Sequence, residues 1–357
     1  MLADPAAPSR FRVIEGELLA ALAASGFGSA YVATAIALRS FGPVPIAAWR
    51  GFLAALALWA IVALQAARSH AREKGGRPAG ARTPVRAPTP AGARASAPAG
   101  APTSARASAP VLPLAPRLLR IGVLAVLGGP LFLSAMNLSI AHVGPTIASF
   151  VAGLYAILAA LFGPLLLRER LTARIVVAFV VALAGTALLA RLDLGGSDGI
   201  GLAWGLTAAA SYALYLVLGR RWSAAYRLDG LVVAACLTSS TAVVLGGALL
   251  LTDPRALLPA TVVPEAVAAL AWLAVVAGGG TVLILASVRL IPAARSAAFL
   301  LLNPITATLL AALLLGTIPT PTELIGGLLV LVGIAGATLP AARGPGPVAD
   351  PSGRSAG

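Results

Sequence analysis

Apolar residues along this chain come in long blocks: 17–38, 44–66, 118–141, 146–167, 173–190, 199–219, 230–251, 264–287, 293–315 and 322–340. A helix needs about 20 mostly apolar residues to cross a bilayer, and these blocks have that length. Most are bracketed by residues that end helices: Gly42-Pro43, Gly144-Pro145, Asp253-Pro254, Ile291-Pro292 and Pro319-Thr320-Pro321. Short polar joints between long apolar spans predict an all-α integral membrane protein of about ten transmembrane helices. Block 17–38 follows Arg10 and Arg12 as a signal peptide would, but it is longer than an h-region. It also has a counterpart later in the chain, so it reads as a retained span.

Composition closes off the soluble alternative. Hydrophobic residues make up 59% of the 357 and charged residues 11%, too little charge to cover a water-facing surface. Net charge is +14, which in a soluble protein would suggest nucleic acid. Its placement says otherwise. With the N-terminus in the cytoplasm and the spans alternating, 22 of the 26 Lys and Arg fall on the inside. Only Arg39, Arg191 and Arg255 fall outside, and Arg50 lies within a span. This is the positive-inside pattern, and it predicts cytoplasmic N- and C-termini in a multi-pass protein of the cell membrane, without nucleic acid as a partner. The lipid bilayer is the expected surrounding.

Residues 68–116 break the pattern. They are mostly Ala, Pro, Gly, Arg, Ser and Thr, with no aromatic residue. Such a stretch has little to bury and predicts a disordered cytoplasmic insertion. Its arginines suit either a passive basic segment or a lipid-binding one.

The chain also repeats. Shifted by 148 residues, Leu165–Leu189 lies without gaps over Leu313–Ala337, with Thr172 on Thr320 and Gly185 on Gly333. Ser139 meets Ser287 at the same shift, and Ser25–Leu38 resembles Ala209–Arg221 at a shift near 185. The insertion accounts for the difference. The reading is a tail at 1–16, a first five-helix repeat at 17–190 interrupted by 68–116, a second at 198–340, and a tail at 341–357. Five spans per copy is odd, so consecutive copies enter the membrane inverted. Inverted repeats are typical of secondary transporters, which bind substrate near the midplane at the repeat interface.

Several stretches carry a family resemblance. They are Phe27-Gly28-Ser29-Ala30-Tyr31-Val32, Ala47-Ala48-Trp49-Arg50-Gly51-Phe52, Leu165-Leu166-Leu167-Arg168-Glu169-Arg170-Leu171-Thr172, Asn303-Pro304-Ile305-Thr306 and Ala311-Ala312-Leu313-Leu314-Leu315-Gly316. In this order, with ten spans, the chain resembles the EamA-type branch of the drug/metabolite transporter superfamily over residues 16–67 and 117–341. It departs from the family where Phe27 replaces a Trp, where Gly51 separates Arg50 from Phe52, where Ala156 stands for a Pro, and where Thr317 stands for the counterpart of Glu169. The resemblance implies a secondary transporter of small metabolites such as amino acids or related compounds, an exporter working by alternating access. A small-molecule substrate is the implied partner, and a homodimer is compatible with it.

Candidate residues follow from polarity inside apolar helices. Arg50 is the one strongly charged residue placed within a span, and intramembrane charge marks function or an interfacial anchor. Gly28, Ser29, Tyr31, Asn137, Tyr155, Tyr212, Tyr215 and Asn303 either line a pathway or bond neighbouring helices. Glu169 and Pro304 read as structural motif residues. The remaining glycines suit close packing or bending. The lone Cys236 sits in an apolar run, where it reads as a small hydrophobe, and His142 at an outer turn. One Cys and two His leave no basis for a metal centre, and no cofactor is expected. The single Lys, Lys74, lies in the insertion, so there is no phosphate-binding Gly-x-x-x-x-Gly-Lys loop. Nothing points to catalysis. The competing reading is a polytopic enzyme or translocase for lipid-linked substrates, which would draw on the outer-loop acids Asp193, Asp198, Asp253 and Glu265.

Overall fold

The structure is a computed structural model and describes residues 10–75, 114–167, 173–189, 197–223, 230–291, 296 and 299–338. Among the described residues there is no β-strand. The helices are α1 (Arg10–Ala37), α2 (Pro43–Gly75), α3 (Leu114–Val126), α4 (Phe132–Gly153), α5 (Tyr155–Leu167), α6 (Ala173–Leu189), α7 (Ser197–Ser223), α8 (Gly230–Thr241), α9 (Gly247–Thr252), α10 (Pro264–Leu290), α11 (Leu302–Leu315) and α12 (Pro321–Thr338). A π-helical turn, Leu127–Leu131, joins α3 to α4, and another, Ala242–Gly246, joins α8 to α9.

Six of the described helical stretches are long and apolar enough to cross a membrane, and Ala173–Leu188, Phe299–Leu315 and Pro321–Gly336 are shorter apolar helices. Many large apolar side chains, among them Leu22, Leu56, Val177, Leu250 and Leu309, face outward. That is the surface a lipid environment covers. Cys236 also lies on the exterior of α8, outside the helix-packed core, and His142 is exposed as expected.

The ends of the helices follow local chemistry. One stretch, Leu118–Gly163, is 46 residues long, but α4 is broken inside it at Gly144, whose φ of 76° and ψ of 170° suit glycine alone. Pro145 follows, lacking the N–H that an unbroken helix would need. Gly316 ends α11 in the left-handed conformation at φ 67° and donates its N–H to the Ala311 carbonyl. At the start of α12, the Thr320 N–H donates to Glu323 Oε2 at 2.8 Å, and the Glu323 N–H reaches Thr320 Oγ1 at 3.4 Å. This is a reciprocal capping box.

Helix α1 starts at Arg10, before the expected 17, and the stretch 68–116 expected to be disordered is helical at both ends: α3 starts at Leu114, and α2 runs on to Gly75. The Ser69 hydroxyl bonds the Ala66 carbonyl at 2.8 Å within that extension, and Ala, Arg, Glu and Lys there are good helix formers. Residues 76–113, the rest of the insertion, lie outside the described residues.

Packing repeats the sequence duplication. Helix α1 lies against α10 and α11, while α7 lies against α4 and α5. Since α7 is the counterpart of α1, and α10 and α11 are those of α4 and α5, one set of contacts is made twice. Helices α6 and α12 are each other's counterparts and pack together. An added Cβ at Gly185 would stand 2.6 Å from the Gly326 carbonyl oxygen and 2.8 Å from the Val330 nitrogen. One at Gly333 would stand 2.7 Å from the Ala178 carbonyl oxygen and 2.9 Å from the Ala182 nitrogen. Gly326 and Val330 are Ala178 and Ala182 moved on by 148 residues, so the contact is reciprocal about a local two-fold. Arg174, at the start of α6, donates to the Gly336 carbonyl near the end of α12 at 2.6 Å. The pair therefore runs antiparallel.

This contact yields a prediction. Gly185→Ala and Gly333→Ala push a methyl group into backbone and each lower stability by about 1–3 kcal/mol. Gly279→Ala, with nothing within 4 Å of the new carbon, leaves it unchanged or slightly raised. Thermal unfolding of the detergent-purified variants checks the difference.

Candidate functional site

Tyrosine rings and glycines decide where the helices part. Tyr212 on α7 is held between Phe132, at 4.7 Å between ring centroids, and the edge-on ring of Tyr155, at 5.0 Å; Tyr215 stacks on it at 5.5 Å. Across the bundle Gly28 lets α1 touch α11, since a Cβ there would meet the Asn303 carbonyl oxygen at 2.5 Å. Between the bulky pair Tyr155–Tyr212 and the close pair Gly28–Asn303 a cavity of about 330 Å³ opens. That is room for a small metabolite.

The wall is formed by Tyr31, Ser149, Gly153, Tyr155, Ala156, Ala159, Tyr212, Leu216, Leu300, Leu301, Asn303, Pro304 and Ile334. Three pairs among these are separated by 148 residues: Gly153 and Leu301, Tyr155 and Asn303, Ala156 and Pro304. The cavity thus lies where the two copies meet. Its polar groups are few. The Ser149 hydroxyl is turned to its own helix, donating to the Thr146 carbonyl at 2.7 Å, whereas Asn303 Oδ1 is buried and accepts no hydrogen bond.

Of the residues singled out by sequence, Tyr31, Tyr155, Tyr212, Asn303 and Pro304 come together on this wall. Arg50 is 8% exposed, and its Nε and Nη1 have no hydrogen-bond partner. It does not line the wall itself. The others serve packing. Ser29 donates to the Gly26 carbonyl at 2.7 Å and accepts from Trp272 Nε1 at 2.9 Å, tying α1 to α10. Asn137 is fully buried and donates to the Pro43 carbonyl at 2.9 Å, tying α4 to the start of α2. Tyr215 covers Gly128 in the first π-turn, where a Cβ would meet its ring at 2.8 Å. Glu169 lies outside the described residues.

Sequence polarity missed Gly153, Ala156, Ala159, Leu216, Leu300, Leu301 and Ile334, because nothing in an apolar residue marks it as a wall, and it also passed over Ser149. The 148-residue offset held the missing signal: applied to Asn303 and Pro304 it points to Tyr155 and Ala156. Among the described residues no three His, Cys, Asp or Glu are grouped to hold a metal ion.

The stacked rings give a testable distinction. Tyr212→Ala removes the ring between Phe132 and Tyr155 and costs about 3–5 kcal/mol of stability, whereas Tyr212→Phe keeps the stack and unfolds near the parent temperature. Differential scanning calorimetry of the two variants checks it.

Comparison with known proteins agrees with this architecture. A family model described as the EamA-like transporter family matches residues 98–191 and 199–339. The first match begins past α1 and α2, which the insertion separates from the rest of their copy. A solved structure described only as "Crystal structure of protein" is similar in fold, with a TM-score of 0.53 at 19% identity over 92% of this chain and 96% of that one. No curated protein sequence matches the chain.

Proposed function

The chain belongs to the EamA-like transporter family, and from that premise we propose that it exports small metabolites, amino acids or closely related compounds, from the cell by alternating access. The observation that carries this reading is the cavity walled by equivalent positions of both copies, Tyr155 with Asn303 and Ala156 with Pro304. A site on a pseudo-two-fold between inverted repeats opens to one side or the other when one copy tilts against its twin. The reciprocal antiparallel contact of α6 and α12 supports the inverted relation.

In this account the chain makes ten crossings of the cell membrane, with both ends in the cytoplasm. The break at Gly144 supports counting residues 118–143 and the segment from Pro145 through α5 as two crossings. The distribution of Lys and Arg supports the orientation. The small cavity and its aromatic wall favour a small solute over a lipid.

The test is flux. Proteoliposomes loaded with labelled neutral amino acids should release at least one of them faster than protein-free vesicles do. Ala156→Trp, which puts an indole into the cavity, should abolish that release while the protein stays monodisperse. Release unaffected by Ala156→Trp would sink the assignment of the cavity as the substrate site.

A further inference from the structure

We propose that a slot between α11 and α12 binds one acyl chain of a membrane phospholipid. It is a lipid site separate from the cavity, and its test does not depend on transport.

The slot arises because two consecutive helices fail to close on each other. Residues 316–320 are the whole joint between α11 and α12, and so short a joint sets consecutive helices side by side. Yet among the described residues α11 hardly touches α12. A groove of about 410 Å³ is left between them. Ile305, Leu309 and Ala312 line it from α11, and Leu324, Leu328 and Leu331 from α12. The buried Phe150, from the segment after the Gly144 break, is its floor. That ring lies over Gly327 on α12, where a Cβ would stand 2.6 Å from its tip.

The lining selects hydrocarbon. Two of its three polar side chains are committed to the protein. The Thr308 hydroxyl donates to the Pro304 carbonyl at 2.8 Å, and Glu323 Oε2 accepts from the Thr320 N–H at 2.8 Å. A polar solute would give up its water here for little in return. The rim residues Ile305, Leu309, Leu324 and Leu328 are between 48% and 61% exposed, an apolar surface that suits lipid and not water. Along α12 the lining runs from Glu323 in the first turn to Leu331, about 12 Å of helix. The slot thus starts at the membrane-surface end of the helix and follows its axis inward. An acyl chain whose headgroup stays at the interface takes the same course, in the outer leaflet for the orientation proposed above. A helix from a second copy, about 10–12 Å across with its side chains, is too thick to enter between two neighbouring helices.

The duplication shows that this is a feature of one copy. Ile157, the counterpart of Ile305, is fully buried in a cluster with Val330 and Ile334, and α5 touches α6. The slot also backs onto the cavity, because Pro304 lines the cavity and Ile305 the slot. A chain lodged there bears on the helix that carries Asn303.

Lipid retention decides the matter. Purified full-length protein, stripped of lipid in detergent, is given a long-chain phosphatidylethanolamine, and bound lipids are counted by native mass spectrometry. The parent should hold one phospholipid per chain more firmly than the rest. Ala312→Trp, which puts an indole into the slot, should lose it, whereas Leu313→Trp, at an outward-facing neighbour, should keep it. A photoreactive group midway along the acyl chain should label residues 305–312 and 324–331 of the parent severalfold more than the equivalent 157–164 and 176–183. If Ala312→Trp fails to fold, this labelling decides alone. Equal labelling of the two copies, or an Ala312→Trp protein that retains the phospholipid, overturns the proposal. So does an Ala312→Trp protein that loses a dimer and not a lipid, since the slot would then be a contact between copies of the chain.

Discussion

Helices in a bilayer gain little by burying one leucine against another, because lipid tails are equally apolar. What holds them is close backbone approach at small residues. Here that constraint falls on a few glycines. Gly185 and Gly333 seat α6 and α12 on each other's backbones, Gly28 seats α1 on α11, and Gly51 seats α2 on α8 near Thr238 and Thr241. Gly129, in the first π-turn, comes so near α8 that a Cβ would stand 2.9 Å from the Leu237 carbonyl oxygen. Ser240 on α8 then donates to the Ala125 carbonyl at 3.1 Å, and Ser211 on α7 donates to Leu127 at 2.7 Å. Those hydroxyls satisfy carbonyls next to Pro130, which supplies no N–H to the helix. Remove the glycines, and the helices separate before any cavity is defined.

The cavity is the complement of that close packing. Where Tyr155 meets Tyr212 their rings hold the helices apart and leave a space beside the close contact of Gly28 with Asn303. Because the contacts are duplicated, the space falls between the copies. The side chains at equivalent positions have diverged, with Asn303 opposite Tyr155 and Pro304 opposite Ala156. The helix contacts are duplicated while the chemistry is not. A transporter needs that combination: symmetric packing lets two arrangements have similar energy, and asymmetric side chains let one solute bind in one orientation.

Much of this was legible in the sequence. Apolar blocks of bilayer length, punctuated by Gly144-Pro145 and Asp253-Pro254, mark the helices because backbone groups in lipid have to be satisfied within the helix. The 148-residue offset showed the duplication, and the two glycines it pairs, Gly185 and Gly333, each seat one helix of the α6–α12 pair on the other. The site was legible only in part. Tyr31, Tyr155, Tyr212 and Asn303 stood out as polar groups in apolar helices, but so did Ser29, Asn137 and Tyr215, which bond or cover neighbouring helices instead. Polarity alone does not separate the two roles, since both avoid lipid. The apolar half of the wall, Gly153, Leu301 and Ile334, carries no mark of its own and emerges only from the packing. The π-turns left no periodic signal, because one extra residue in a continuous apolar run changes neither its length nor its composition.

Alternating access requires that one cavity between the copies open to both sides of the membrane. Access to a single thiol tests it most directly. With Cys236, the one native cysteine, replaced by serine, Ala156→Cys places a thiol on the cavity wall. A membrane-impermeant maleimide is applied to right-side-out and to inside-out vesicles in turn. The account predicts labelling from each face, slowed by a transported amino acid in both cases. Labelling from one face only, or from neither, would contradict it.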